Sequence, residues 1–183
     1  MTSVREKNLY TQLADLLEYP KEDIKLKVEE CLKTLSSDPA APPEAADELK
    51  LFLMEVENTP LDDLQGVYSY TFELSSEFTL DLGSHMFEGF KRANMLATLK
   101  AMYRESGFPF AEIAKGELPD RLTVMLNFLG FSQNEELKKD LRQTFVIMAL
   151  EKLRKNFERS KGSMYKHLIN SIYRVLEKDV KEA

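Results

Sequence analysis

Catalytic chemistry in this chain would have to be assembled from a thin set of side chains: two histidines, His85 and His167, one cysteine, Cys31, and the adjacent carboxylates Asp62 and Asp63. Neither histidine has a second His or Cys at metal-ligand spacing, so no zinc or transition-metal centre is expected. Adjacent acids diverge on a helix and do not build a general acid/base pair; Asp62 and Asp63 read as a solvated helix start. Cys31 falls on an apolar helical stripe, which makes it a buried small hydrophobe rather than a nucleophile, and a lone cysteine excludes an intramolecular disulfide. Gly83 and Gly89 are too isolated to form a phosphate-cradling loop. The basic run Lys152, Arg154, Lys155, Arg159, Lys161 and Lys166 straddles a helix end, where cations complement the dipole, and lacks interleaved surface aromatics. The expectation is therefore a binding protein rather than an enzyme, with no cofactor of its own and no nucleic-acid partner.

A second pattern is more telling. Between Lys50 and Lys91 there is no Lys or Arg, while eight acids (Glu55, Glu57, Asp62, Asp63, Glu73, Glu77, Asp81, Glu88) and seven aromatics (Phe52, Tyr68, Tyr70, Phe72, Phe78, Phe87, Phe90) share the stretch. The window carries a formal charge of −8 in a chain of −6, so the rest sums to +2 and the acid is local. A basic, partly apolar partner suits such a segment. The alternative is that the acids face water on ordinary helices and the rings fill the core.

The elements that must position these groups follow from the apolar spacing. At 183 residues, with 43% hydrophobic and 31% charged, the chain predicts one domain with a sizeable core. Glycine and proline are scarce and fall between segments of helical period, so the expected fold is all-α, a single-domain bundle of about eight helices. Leu9, Leu13, Leu16 and Leu17 form a first stripe that ends before Pro20; Ile24, Val28, Cys31, Leu32 and Leu35 form a second. Pro43 suits a first helical position, followed by Leu49, Phe52, Leu53 and Val56. Leu61, Leu64, Tyr68 and Phe72 define a fourth helix with Thr59 as its expected cap. Residues 74–86 lack a period and read as an irregular connection, with Phe78, Thr79 and Leu80 as a short extended piece. A fifth helix carries Arg92, Leu96, Leu99 and Tyr103 to about Gly107, and Phe108-Pro109-Phe110 makes an exposed or partner-covered apolar turn. A sixth is expected over about 118–129. A seventh from Asn134 is apolar over much of its circumference between Thr144 and Leu150, which would place it at the bundle centre. The last runs from about Ser163 with Tyr165, Leu168, Ile169, Ile172, Leu176 and Val180 on one face and Lys166, Arg174 and Lys178 towards solvent. His167 is expected on a helix surface. No apolar run reaches membrane-spanning length, and the amino terminus has no apolar signal region, so a cytoplasmic protein without direct membrane insertion is expected.

Four fragments in order carry a resemblance: Leu64-Gln65 with Tyr68, Phe72 and Glu73; His85-Met86-Phe87; Arg92 with Leu96, Leu99 and Tyr103; and Glu117-Leu118-Pro119-Asp120 before a leucine-rich segment. Together, and with Leu-Leu-Glu-Tyr-Pro at 16–20, they resemble the nitrate-reductase molybdenum-cofactor assembly chaperones, the NarJ-type group of redox-enzyme maturation chaperones. Glu73 stands where that family more often has aspartate, and beyond Gly130 only a compatible helical pattern remains. The resemblance implies an all-helical cytoplasmic chaperone, not an enzyme, that binds the amino-terminal leader of a molybdoenzyme catalytic subunit until its cofactor is inserted. Related chaperones serve dimethyl sulfoxide, trimethylamine oxide, selenate or hydrocarbon-hydroxylating enzymes, and a helix-binding regulatory adaptor would use a similar groove. By matching positions, the leader groove is expected near Tyr68, Phe72, Glu73, His85, Phe87, Arg92 and Tyr103, with Glu117, Leu118, Pro119 and Asp120 at its rim. Glu73 is expected to meet the leader's cation or to fix His85, and His85 to tune affinity near neutral pH. The assembly state implied is a monomer or weak homodimer.

Overall fold

The computed structural model describes residues 7–160 and 163–181, and the side chains up to residue 179. The expectations for the extreme amino terminus, Lys161 and the side chain of Val180 lie outside the described residues. The chain is helical almost throughout: α1 (Leu9–Leu16), α2 (Ile24–Ser37), α3 (Pro43–Asn58), α4 (Leu61–Tyr68), α5 (Gly89–Glu105), α6 (Phe110–Ala114), α7 (Leu122–Phe131), α8 (Glu135–Leu141), α9 (Ile147–Arg159) and α10 (Tyr165–Lys181). A π-turn at Ser69–Glu73 continues α4, and another at Arg142–Val146 joins α8 to α9. Among the described residues there is no β-strand, only an isolated antiparallel bridge between Asp81 and Arg121.

Local chemistry sets the ends. Asn8 caps α1 through a reciprocal box with Thr11, at 3.1 Å from the Thr11 amide to Asn8 Oδ1 and 3.0 Å from the Asn8 amide to Thr11 Oγ1. Asn134 caps α8, accepting from the Leu137 amide at 3.0 Å. Thr59 does not cap α4: its hydroxyl donates back to Glu55 O at 2.7 Å and closes α3, while α4 starts behind Pro60 with no side-chain cap. The helix expected over 118–129 begins only at Leu122, because Leu118 to Arg121 are held in a turn by Arg121 N to Leu118 O at 3.1 Å. Phe108-Pro109-Phe110 is not fully exposed either. Phe108 is buried, Phe110 is half-buried, and the short α6, missed by the apolar period, starts there.

The centre of the bundle is α7, not the helix after Asn134. Leu122 through Leu129 are all buried, including Thr123 and Asn127. Asn127 fits because its amide donates to Thr123 O at 2.8 Å, satisfying that donor inside the helix. In contrast, Gln143, Thr144 and Met148 are exposed, so the segment from α8 to α9 buries one face only. Around α7, α1 packs on α7 and α2, α2 on α3, and α10 on α3 and α9. Each fully buried leucine of this core, such as Leu13, Leu16 and Leu126, contributes roughly 2 kcal/mol. Cys31 sits in the same core, and burial pushes its thiol up to about 12, which makes it inert as a nucleophile at neutral pH.

Candidate functional site

The irregular segment after α4 is fastened to the turn before α7. Leu122 N donates to Leu80 O at 2.8 Å and Leu82 N to Asp120 O at 3.0 Å, which forms the bridge at Asp81 and Arg121. Asp120 is fully buried beneath it. Its Oδ2 accepts from the Gly83 amide at 2.9 Å and from Arg92 at 3.2 Å. Glycine is required at 83 because a Cβ would stand 2.5 Å from Asp120 Oδ2 and 2.2 Å from Met95 Cε. Asp81 lies 3.8 Å from Arg92 and 3.6 Å from Arg121, and Arg121 also meets Glu117 at 3.5 Å. The Tyr103 hydroxyl donates to Pro119 O at 2.8 Å, and the Tyr68 hydroxyl donates to Leu17 O at 3.0 Å while accepting from Arg121 at 3.5 Å.

This junction gathers groups from two of the sequence fragments, Arg92 with Tyr103 and Glu117 to Asp120, and adds Asp81, Gly83 and Arg121, which are not among the expected site residues. The signals in the sequence are an acid of the lysine-free window for Asp81, a glycine in a segment without period for Gly83, and an arginine directly after the Leu-Pro-Asp step for Arg121. Electrostatically the junction is nearly closed on itself: Asp81 and Asp120 face Arg92 and Arg121. Burial, together with the Asp81 charge, holds the Asp120 carboxyl above the ordinary carboxylate range against the opposing pull of Arg92 and the Gly83 amide. Its Oδ1 has no partner among the described residues.

The expected ring-lined groove is not open in this structure. Tyr68 and Phe72 are buried, packed edge-on at 5.2 Å and against Tyr165 at 5.8 and 4.7 Å. Tyr103 is buried against Phe108, Phe110 and Phe128 at 5.2, 5.7 and 4.8 Å. Phe87 is half-buried and stacks on Phe145 at 6.3 Å, on another part of the core. Pro119 is buried, Glu117 is exposed, and Leu118 is 37% exposed. The rings sit inside because burying about 150–250 Å² of aromatic surface each outweighs leaving them for a partner, and the hydroxyls of Tyr68 and Tyr103 find backbone carbonyls.

Glu73 and His85 do not meet. Glu73 is exposed at the end of the π-turn, without an ion pair among the described residues. The His85 ring is fixed instead by Thr79 O, 2.9 Å from Nε2. Burial is the largest influence on His85 and lowers its pKa below the ordinary histidine value. Because the folded value is depressed, the stability tied to neutral His85 is complete above the unfolded value near 6.5 and is lost as pH falls through the folded value. Following the ring proton by NMR against pH should therefore give a midpoint below 6.5; a midpoint at or above it contradicts the burial account. His167 is half-buried rather than a surface residue: its Nδ1 lies 2.6 Å from Glu48, which also accepts from Asn170 at 3.0 Å, tying α10 to α3.

Among the described residues no group of three or more His, Cys, Asp or Glu could hold a metal ion, and no helix is long and apolar enough to cross a membrane. The sequence matches no family model, and no curated protein matches it.

Proposed function

We propose that this chain is a chaperone that holds the amino-terminal leader of a molybdoenzyme catalytic subunit in the cytoplasm while its molybdenum cofactor is inserted, with nitrate reductase as the client to which the sequence resemblance points. It acts by binding, without turnover. The observation that carries this reading is the surplus of unpaired acid beside exposed apolar side chains. In the lysine-free window, Glu57 pairs with Lys25 and Asp81 lies near two arginines, but Glu55, Asp62, Asp63, Glu73, Glu77 and Glu88 have no ion pair among the described residues. Tyr70 and Leu74, on either side of Glu73, are 73% and 79% exposed, and Phe90 is 90% exposed. The π-turn creates this arrangement, since its extra residue keeps Thr71 and Phe72 inward and turns Tyr70, Glu73 and Leu74 outward. A short arginine-bearing segment that becomes an amphipathic helix on binding matches such a surface. The ordering it undergoes holds the affinity to a moderate, reversible level.

Calorimetry with synthetic leaders of nitrate, dimethyl sulfoxide and trimethylamine oxide reductases tests the reading. At least one should bind, more weakly as salt rises, because exposed charges contribute to the attraction. Glu73→Gln should weaken that binding about threefold, the effect of one solvated charge pair, with an unchanged melting temperature. Absence of binding by all the leaders would overturn the proposal.

A further inference from the structure

None of the residues expected to hold the leader lines the cleft beside the end of the central helix. That cleft, of about 620 Å³, opens between the end of α5, the loop into α6 and the end of α7. Phe108, Pro109, Ile113 and Phe131 form its apolar walls, and Phe131 is 39% exposed although it ends the most buried helix. Glu105 and Glu112 also line it, both exposed and neither in an ion pair among the described residues. No Lys or Arg lines it. Asn127, 7% exposed, also lines it; its amide nitrogen donates to Thr123 O, and its buried Oδ1 has no partner among the described residues.

The charge of the lining selects the occupant. Two carboxylates without an ion pair, and otherwise only uncharged polar side chains (Thr11, Ser106, Ser132, Gln133, Asn134), make the lining net negative, so an anion is repelled and a neutral apolar segment leaves the acids unanswered. A guanidinium or ammonium flanked by apolar side chains answers both the walls and the acids. The second cleft, of about 420 Å³, has no such bias, because Lys138, Arg142 and Lys178 share it with Asp38, Glu135 and Asp179.

We infer that the cleft between Phe108 and Phe131 seats the arginine-bearing apolar stretch of the client leader, with the cation on Glu105 or Glu112 and its apolar neighbours on Phe108, Ile113 and Phe131. This rests on the leader-binding reading: the cleft takes one arginine-bearing stretch of the leader in addition to the contact at Glu73, and it lies apart from the junction at Asp120.

The test is calorimetry of the reductase leader peptides, each made with its arginines and with citrulline in their place, against wild type, the double variant Glu105→Gln/Glu112→Gln, Phe131→Ser and Glu73→Gln. Expected is a loss of about tenfold in affinity for the arginine leader on the double variant, as for a lost hydrogen bond between charged groups. The citrulline leader should bind the double variant and wild type equally, and Phe131→Ser should weaken both leaders. An arginine leader that binds the double variant as tightly as wild type overturns the cleft assignment while leaving the chaperone reading in place. If no leader binds wild type, both fall together. Citrulline acts on the peptide and not on the fold, so the comparison is independent of any change in stability of the variants.

Discussion

Replacing Asp120 by alanine should lower the unfolding free energy by about 3 kcal/mol, the scale of a buried ion pair broken from one side. The carboxylate is wholly buried and receives both the Gly83 amide and the Arg92 guanidinium; its removal leaves the amide unpaired and the guanidinium, 27% exposed, short of its nearest partner. The loss also frees the segment at 80–83, which is joined to the chain before α7 by two backbone hydrogen bonds beside that carboxylate. Asp120→Asn keeps an acceptor for the Gly83 amide and should cost only about 1 kcal/mol. The pH dependence has a definite sign. The folded pKa of Asp120 is raised by burial, so ionisation is penalised in the folded state relative to the unfolded one. Wild type should therefore gain on Asp120→Asn as pH falls through the folded value towards the unfolded carboxylate range. Urea unfolding of the three proteins across that range measures all of this; an alanine variant within about 0.5 kcal/mol of wild type at neutral pH would show that the junction does not hold the segment.

Tyr103→Ala should cost about 4 kcal/mol, in the range for deleting a large buried ring. The ring is fully buried among Phe108, Phe110 and Phe128, and truncation leaves a cavity that the central helix cannot close without moving Phe128. Tyr103→Phe removes only the bond to Pro119 O and should cost about 1 kcal/mol. The pair separates two roles for this residue. A tyrosine lining an open leader groove would lose affinity and little stability on truncation, whereas a core tyrosine loses stability first. Thermal unfolding and leader calorimetry on the same two variants read both quantities. A Tyr103→Ala variant that melts like wild type but has lost leader affinity would restore the groove at this ring.

Much of the fold is legible in the apolar period of the chain. Repeats such as Leu9, Leu13 and Leu16 or Ile24, Val28, Cys31 and Leu35 mark which face of a helix is apolar, and the caps at Asn8 and Asn134 are short-range events. The pattern misleads where long-range contacts override it. Thr59 has the right residue type for an N-cap, yet its hydroxyl is taken by the preceding helix. The segment after Asn134 is apolar over much of its circumference between Thr144 and Leu150, yet Met148 stays outside because α7, shorter and without a charged residue, takes the centre.

Composition and helical period are properties of neighbours along the chain, and they suffice to establish that the protein is helical, that its acid is concentrated between Lys50 and Lys91, and that Cys31 belongs to a core. Packing alone brings Asp81 and Asp120 to Arg92 and Arg121, draws Tyr68, Phe72 and Tyr103 inside, and leaves Glu105 and Glu112 unpaired on an apolar cleft. The physical reason is that an apolar stripe demands burial without naming the face that covers it. Partners such as Arg92 and Asp120, separated by 28 residues, are chosen by how whole helices pack rather than by anything in their own neighbourhood.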